Sequence, residues 1–105
     1  MSAKESIFQR KFIQELHARY PGCWTEKADP GYRQGTPDLR FYYGTFWAAF
    51  EMKRSKLEPH QPNQDEYISR LDQMSFARFV YPENMEEVLE DLDSAIGYSK
   101  GVGNK

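Results

Sequence analysis

GTPDLRFYYGTFWAAFEMK, residues 35–53, holds two aromatic-rich segments around a Gly-Thr dipeptide. Residues 38–43 and 46–53 read as strands, and the two-residue link at Gly44-Thr45 has the length and composition of a β-hairpin turn. The second strand is apolar on both faces, as expected for the buried middle of a sheet. Side chains alternate along a strand, so Glu51 and Lys53 point the same way at the end of an otherwise apolar run. Burying a carboxylate and an ammonium there is costly unless they face each other, a metal or a substrate. The turn brings Asp38 opposite the region of Glu51, so two carboxylates converge. That oxygen-rich pair suits Mg²⁺ or Mn²⁺, and Lys53 beside it can orient or deprotonate a water or offset developing negative charge.

Outward from the hairpin, Phe8, Phe12 and Leu16 recur at four-residue spacing, with Ile7 and Ile13 beside them, predicting an amphipathic helix over residues 4–19. Pro21 and Gly22 end it. Residues 23–27 suit a short strand, and 28–36 form a loop rich in Gly, Pro and Asp. After a second loop, Pro62 suits the first turn of a helix whose apolar positions are Tyr67, Ile68, Leu71 and Met74. Residues 77–81 form a short strand that Pro82 stops. Met85, Val88, Leu89, Leu92 and Ile96 stripe a last helix with an acidic outer face, and 98–105 read as a flexible tail. The order αβββαβα over residues 1–105 is that of a single α/β domain with a four-stranded mixed sheet flanked by helices.

With 105 residues, 39% of them hydrophobic, the chain can build one packed core. It has no apolar run of the roughly 18 residues that span a bilayer, and MSAKESIFQRKF lacks the apolar segment of a signal peptide, so no membrane partner and a cytoplasmic location are expected. Cys23 is the sole cysteine, which excludes an internal disulfide and leaves a zinc site only that one Cys, the distant His17 and His60, and carboxylates to draw on. The net charge of −2 hides a split: residues 1–60 carry ten bases against seven acids, residues 61–105 four against nine. One part of the molecule can therefore meet phosphate despite the acidic average.

Asp38 preceded by Pro37, then Glu51-Met52-Lys53 across a hairpin, resembles the PD-(D/E)xK nuclease superfamily. Gly35-Thr36-Pro37-Asp38-Leu39, Phe50-Glu51-Met52-Lys53 and a following helix Gln are similar to the virus-type replication and repair nuclease (VRR-NUC) domain in its small stand-alone phage form, over residues 5–96. The resemblance implies a restriction-endonuclease-like αβββαβα core, with Asp38, Glu51 and the Met52 carbonyl holding Mg²⁺ or Mn²⁺ and Lys53 serving the attacking water. It further implies a first-helix Glu near the metal, for which Glu5 fits because it borders the apolar stripe and Glu15 competes. The helix Gln is Gln64 or Gln61; Gln64 is favoured because it precedes Ile68 by four and Leu71 by seven. Lys27 matches a Lys that such domains carry near the site.

Together these residues lead to an expectation of metal-dependent hydrolysis of DNA phosphodiesters in phage replication or repair, within the cytoplasm of a bacterial host. Lys27, Arg33, Arg54 and Lys56 would grip the backbone, with branched or junction DNA as substrate. Cutting two strands of a junction in concert takes two sites related by symmetry, so a homodimer is expected. A non-catalytic nucleic-acid-binding module on the same fold is the alternative. Bland readings compete residue by residue: Glu5 as a first-turn carboxylate favoured by the helix dipole, Arg54 and Lys56 as solubility charges, His17 and His60 as surface histidines. Phe41, Tyr43, Phe46 and Phe50 read as core, and Tyr32 with Arg33 as a clamp on exposed nucleotides.

Overall fold

The computed structural model describes residues 3–28 and 35–104, with side chains over 7–28 and 35–97. Helix α1 (Ala3–Arg19) is followed by β1 (Trp24–Lys27), β2 (Leu39–Tyr43), β3 (Phe46–Met52), α2 (Gln64–Met74), β4 (Ala77–Val80) and α3 (Met85–Asn104), with a 3-10 turn at Pro82–Asn84. The four strands form one mixed sheet in the order β1-β2-β3-β4. Neighbours β1/β2 and β2/β3 run antiparallel, whereas β3/β4 is parallel. A parallel pair needs a crossover, which residues 53–76 supply by carrying α2 across one face of the sheet.

Strand alternation divides the apolar residues between two layers. Leu39, Phe41, Ala48, Phe50, Met52 and Val80 meet α1 and α3 on one face. Ala49, Ala77 and Phe79 meet Ile68 and Leu71 of α2 on the other. The first layer is an aromatic core: Phe12 and Phe50 are fully buried, with ring centroids 5.0 Å apart and planes 79° apart, the favourable edge-on arrangement. Each such side chain contributes about 1.5–3 kcal/mol by leaving water. Phe41 and Phe50 lie in this core as the sequence suggests, and Tyr43 and Phe46 pack against its rim.

Several boundaries differ from the sequence reading. Ile7 and Met74, placed in apolar stripes, are both exposed, because each helix buries a narrower arc than its apolar residues span. Cys23 precedes β1 and its side chain joins the core. Pro62 lies outside α2, which starts at Gln64 because Asn63 takes a left-handed conformation (φ 72°). The backbone of α3 runs helically to Asn104, past the start of the expected tail; glycines there lower helix propensity without breaking the helix.

Gly35 fixes how the segment before Asp38 meets the start of α2. Its φ is +90°, and a Cβ there would lie 2.9 Å from Asn63 Cβ and 3.0 Å from the Pro62 carbonyl oxygen. Gly44 at the hairpin turn also has positive φ (+64°) but faces open space. Both Gly→Ala changes carry the left-handed backbone cost of about 1–2 kcal/mol; only Gly35→Ala adds a collision. Urea denaturation should therefore rank Gly35→Ala as clearly less stable than Gly44→Ala, and equal midpoints would show that the contact with Asn63 yields freely.

Candidate functional site

The paired strands bring Asp38 and Glu51 together. The β2/β3 ladder ends at Leu39 opposite Phe50, and one step further sets Asp38 opposite Glu51. On β3, the Ala49 and Lys53 amides donate toward the β4 side, at 3.0 Å to the Phe76 carbonyl and 2.8 Å to that of Val80, so residue 51 also turns its backbone away from β2. The Asp38/Glu51 position is thus a non-hydrogen-bonded antiparallel pair, the kind with Cα atoms about 4.5 Å apart and side chains in close approach. At the next position the Met52 amide donates to Asp38 Oδ2 at 3.0 Å. Pro37 stands opposite Met52 in the continued register and has no N–H to offer the Met52 carbonyl.

Lys53 and Gln64 complete a buried network around this pair. Glu51, Lys53 and Gln64 are only 4%, 2% and 6% exposed. Gln64 Nε2 donates to Glu51 Oε2 at 2.8 Å, and its Oε1 accepts from Lys53 Nζ at 2.8 Å and from the Gln61 amide at 2.7 Å. Lys53 can only donate, so it takes the amide oxygen and leaves the amide nitrogen for Glu51. Lys53 Nζ also donates to the Pro59 carbonyl at 3.2 Å and lies 4.0 Å from Glu51 Oε2. The other Glu51 oxygen, Oε1, is buried without a hydrogen-bond partner.

Burial, then the Asp38 carboxylate beside it, pushes Glu51 up to about 8. Burial also raises Asp38, opposed by the Met52 amide, the hydrogen bond shared with Glu51 and the Lys53 charge. Both shifts favour a proton on the pair, which titrates as a unit. A divalent cation could take the place of such a proton. The donor set fits one: the atoms are carboxylate oxygens, hard donors of the kind Mg²⁺ and Mn²⁺ prefer, and Glu51 Oε1 is buried and unclaimed. Among the described residues no cluster of three or more His, Cys, Asp or Glu is placed to hold a metal. The Glu5 side chain lies outside the described residues, as do Tyr32 and Arg33.

Other residues singled out from sequence fall in different places. Glu15 pairs with Arg19 at 3.2 Å on the surface of α1. The Gln61 side chain is exposed, so only its backbone meets Gln64. Lys27 pairs with Leu39, whose side chain faces the aromatic core, and so projects to the face opposite Asp38. Arg54 is held by Glu58, its amide at 2.6 Å and Nε at 3.3 Å from Oε1, and Lys56 is exposed. His60 stacks on Phe79 with centroids 3.8 Å apart, and its Nδ1 lies 2.7 Å from Asp65. His17 does have a cysteine neighbour, with Nδ1 3.7 Å from Cys23 Sγ, but burial raises the thiol and keeps it protonated, a poor nucleophile. Sequence reasoning missed Glu58, whose charge helps raise Asp38, and Gln9, fully buried on α1 with Oε1 unpartnered; neither has a spacing that marks it.

Comparison of the chain with family models, curated proteins and solved structures gave no match. Among the described residues no helix is long and apolar enough to cross a membrane.

The raised Glu51 makes stability depend on pH. Between the ordinary carboxyl value of 4.5 and about 8, the folded chain keeps a proton that the unfolded chain has lost. Metal-free stability should fall as pH rises through that window, by up to several kcal/mol. Urea midpoints at pH 5.5 and 8.5 should show this fall, and Glu51→Gln, neutral throughout, should flatten it. A wild-type midpoint unchanged across the window would place the proton elsewhere.

Proposed function

We propose that the chain is a metal-dependent deoxyribonuclease of the PD-(D/E)xK kind, similar to stand-alone VRR-NUC domains, that hydrolyses phosphodiester bonds in branched or junction DNA. The observation carrying this reading is the facing of half-buried Asp38 and buried Glu51, whose Oε1 lacks a donor, beside an ammonium that Gln64 and Pro59 hold in place. A restriction-endonuclease-like core, a place in phage replication or repair and a bacterial cytoplasmic setting belong to the same reading. When bound, Mg²⁺ or Mn²⁺ supplies acidification of a water and counter-charge for the phosphate under attack. Asp38 and Glu51 would hold the ion, with the Met52 carbonyl as a third oxygen. Lys53 would orient the attacking water and offset charge building on the phosphate. Gln64 keeps the Lys53 ammonium and the Glu51 carboxylate in register, and Arg54 and Lys56 reach backbone phosphate at the cost of the Arg54–Glu58 contact.

Asp38 and Lys53 should fail differently. Asp38→Asn keeps an acceptor for the Met52 amide but removes a ligand charge, so Mn²⁺ affinity by calorimetry and DNA cleavage should fall together. Lys53→Met keeps the buried stem and both carboxylates; Mn²⁺ should still bind while the cleavage rate drops roughly a hundred-fold or more. Wild-type cleavage by Lys53→Met would strip that residue of its role. Binding of DNA by the wild type with no cleavage in Mg²⁺ or Mn²⁺ would favour the non-catalytic binding module.

Concerted cutting of a junction calls for two sites, so the reading includes a homodimer. Light scattering at micromolar concentration, with and without junction DNA, should report twice the 12.4 kDa chain mass. A monomer under both conditions would remove paired cutting from the reading.

A further inference from the structure

The sheet face that carries Asp38 and Glu51 is only partly covered. Helix α2 packs on β3 and β4, whereas on β1 and β2 the side chains turned to that face, Trp24, Glu26, Arg40 and Tyr42, are exposed. Three aromatic residues form a row across the strands: Trp24 stands opposite Tyr42, and Tyr42 opposite Trp47. Directly paired residues project to one face, so the three rings share it. Trp24 is 71% exposed, an unusual position for the most costly apolar surface a residue can offer to water. Arg40 lies on the same face, midway along β2 between Asp38 and Tyr42. A cavity of about 330 Å³ opens there, lined by Arg40, Tyr42, Trp47, Ala48, Ala49 and Leu71, within the lower range of small-ligand sites.

We propose that the Trp24–Tyr42–Trp47 row, with Arg40, is a stacking platform for unpaired nucleotides that continue from the phosphate held at Asp38 and Glu51. The inference rests on the hydrolytic reading above and specifies its substrate as DNA with a single-stranded arm. Aromatic faces interleaved with a guanidinium are the surface that takes splayed bases with little regard to sequence. Bases inside a duplex are already stacked on one another and cannot reach it. Tyr42 lies four residue steps beyond Asp38, about 13 Å along the strand, which about four nucleotides cover at helical rise. Glu26 positions the platform, accepting the Tyr42 hydroxyl hydrogen bond at 2.8 Å and lying 3.9 Å from Arg40 Nη1. That ion pair is exposed and weak, so a backbone phosphate can draw Arg40 away.

Trp24 and Trp47 are the two tryptophans of the chain, so intrinsic fluorescence reads the platform directly. A (dT)12 oligonucleotide, titrated without divalent ions, should quench it, and a blunt duplex of the same length should do so far less. Trp24→Ala should weaken oligonucleotide binding, followed by anisotropy, roughly ten-fold, and Trp24→Phe should recover most of the loss. Absence of quenching, or equal affinity of wild type and Trp24→Ala, would overturn the platform. So would a dimer that dissociates on Trp24→Ala without any response to oligonucleotide, since the row would then bind a second copy of the chain. Cleavage assayed separately in Mn²⁺ keeps the two readings apart: quenching without cleavage sustains the platform and removes hydrolysis, and cleavage without quenching does the reverse.

Discussion

An ammonium and a carboxylate sit at the end of a central strand where water is nearly excluded, a second, half-buried carboxylate faces them, and one neutral amide makes that tolerable. Gln64 gives its oxygen to Lys53 and its nitrogen to Glu51. Hydrogen bonds to charged groups of this kind contribute about 1.5–3 kcal/mol each. Stripping one partner from a buried charged set costs about 3–5 kcal/mol, because the remaining charge is left without water or counter-charge. The helix start, the preceding turn and the close approach of Gly35 to Asn63 all serve to put that amide where it is needed.

Even with Gln64 in place the network is incomplete, since Glu51 Oε1 is buried without a donor and two acids lie side by side. Two acids set side by side with one oxygen unpartnered are a poor way to stabilise a core. On the proposed reading the same repulsion would favour a divalent ion, which relieves it. The aromatic layer of Phe12, Phe41 and Phe50 on the other side of the sheet supplies the stability that the polar side forgoes.

The sheet thus has two unlike faces. One is sealed by α1 and α3; the other is half covered by α2, with the carboxylate pair where cover ends and an aromatic row beyond it. Strand pairing alone sets the order Trp24, Tyr42, Trp47 across the strands and Asp38, Arg40, Tyr42 along β2. Aromatic and charged side chains are in this way set on one face of a rigid element.

Local pattern was enough for the hairpin, the element order and the facing of Asp38 and Glu51, because each depends on strand alternation and turn length over a few residues. Periodicity also found the buried positions Phe8, Phe12, Leu16 and Ile68. It overreached at Ile7 and Met74, since an apolar residue's exposure depends on which neighbour arrives to cover it. Spacing from Ile68 and Leu71 favoured Gln64 over Gln61, and Gln64 is the one whose side chain is buried. Spacing could not turn Lys27 to the face opposite Asp38 or set Glu58 near Asp38, which depend on where the 53–63 loop and β1 come to lie. The aromatic row was invisible for the same reason: its members come from three strands, and only register brings them into line. Sequence by itself determined the chemistry available at the end of β3; tertiary packing decided which side chains reach it, because burial and cross-strand neighbours are properties of the assembled sheet.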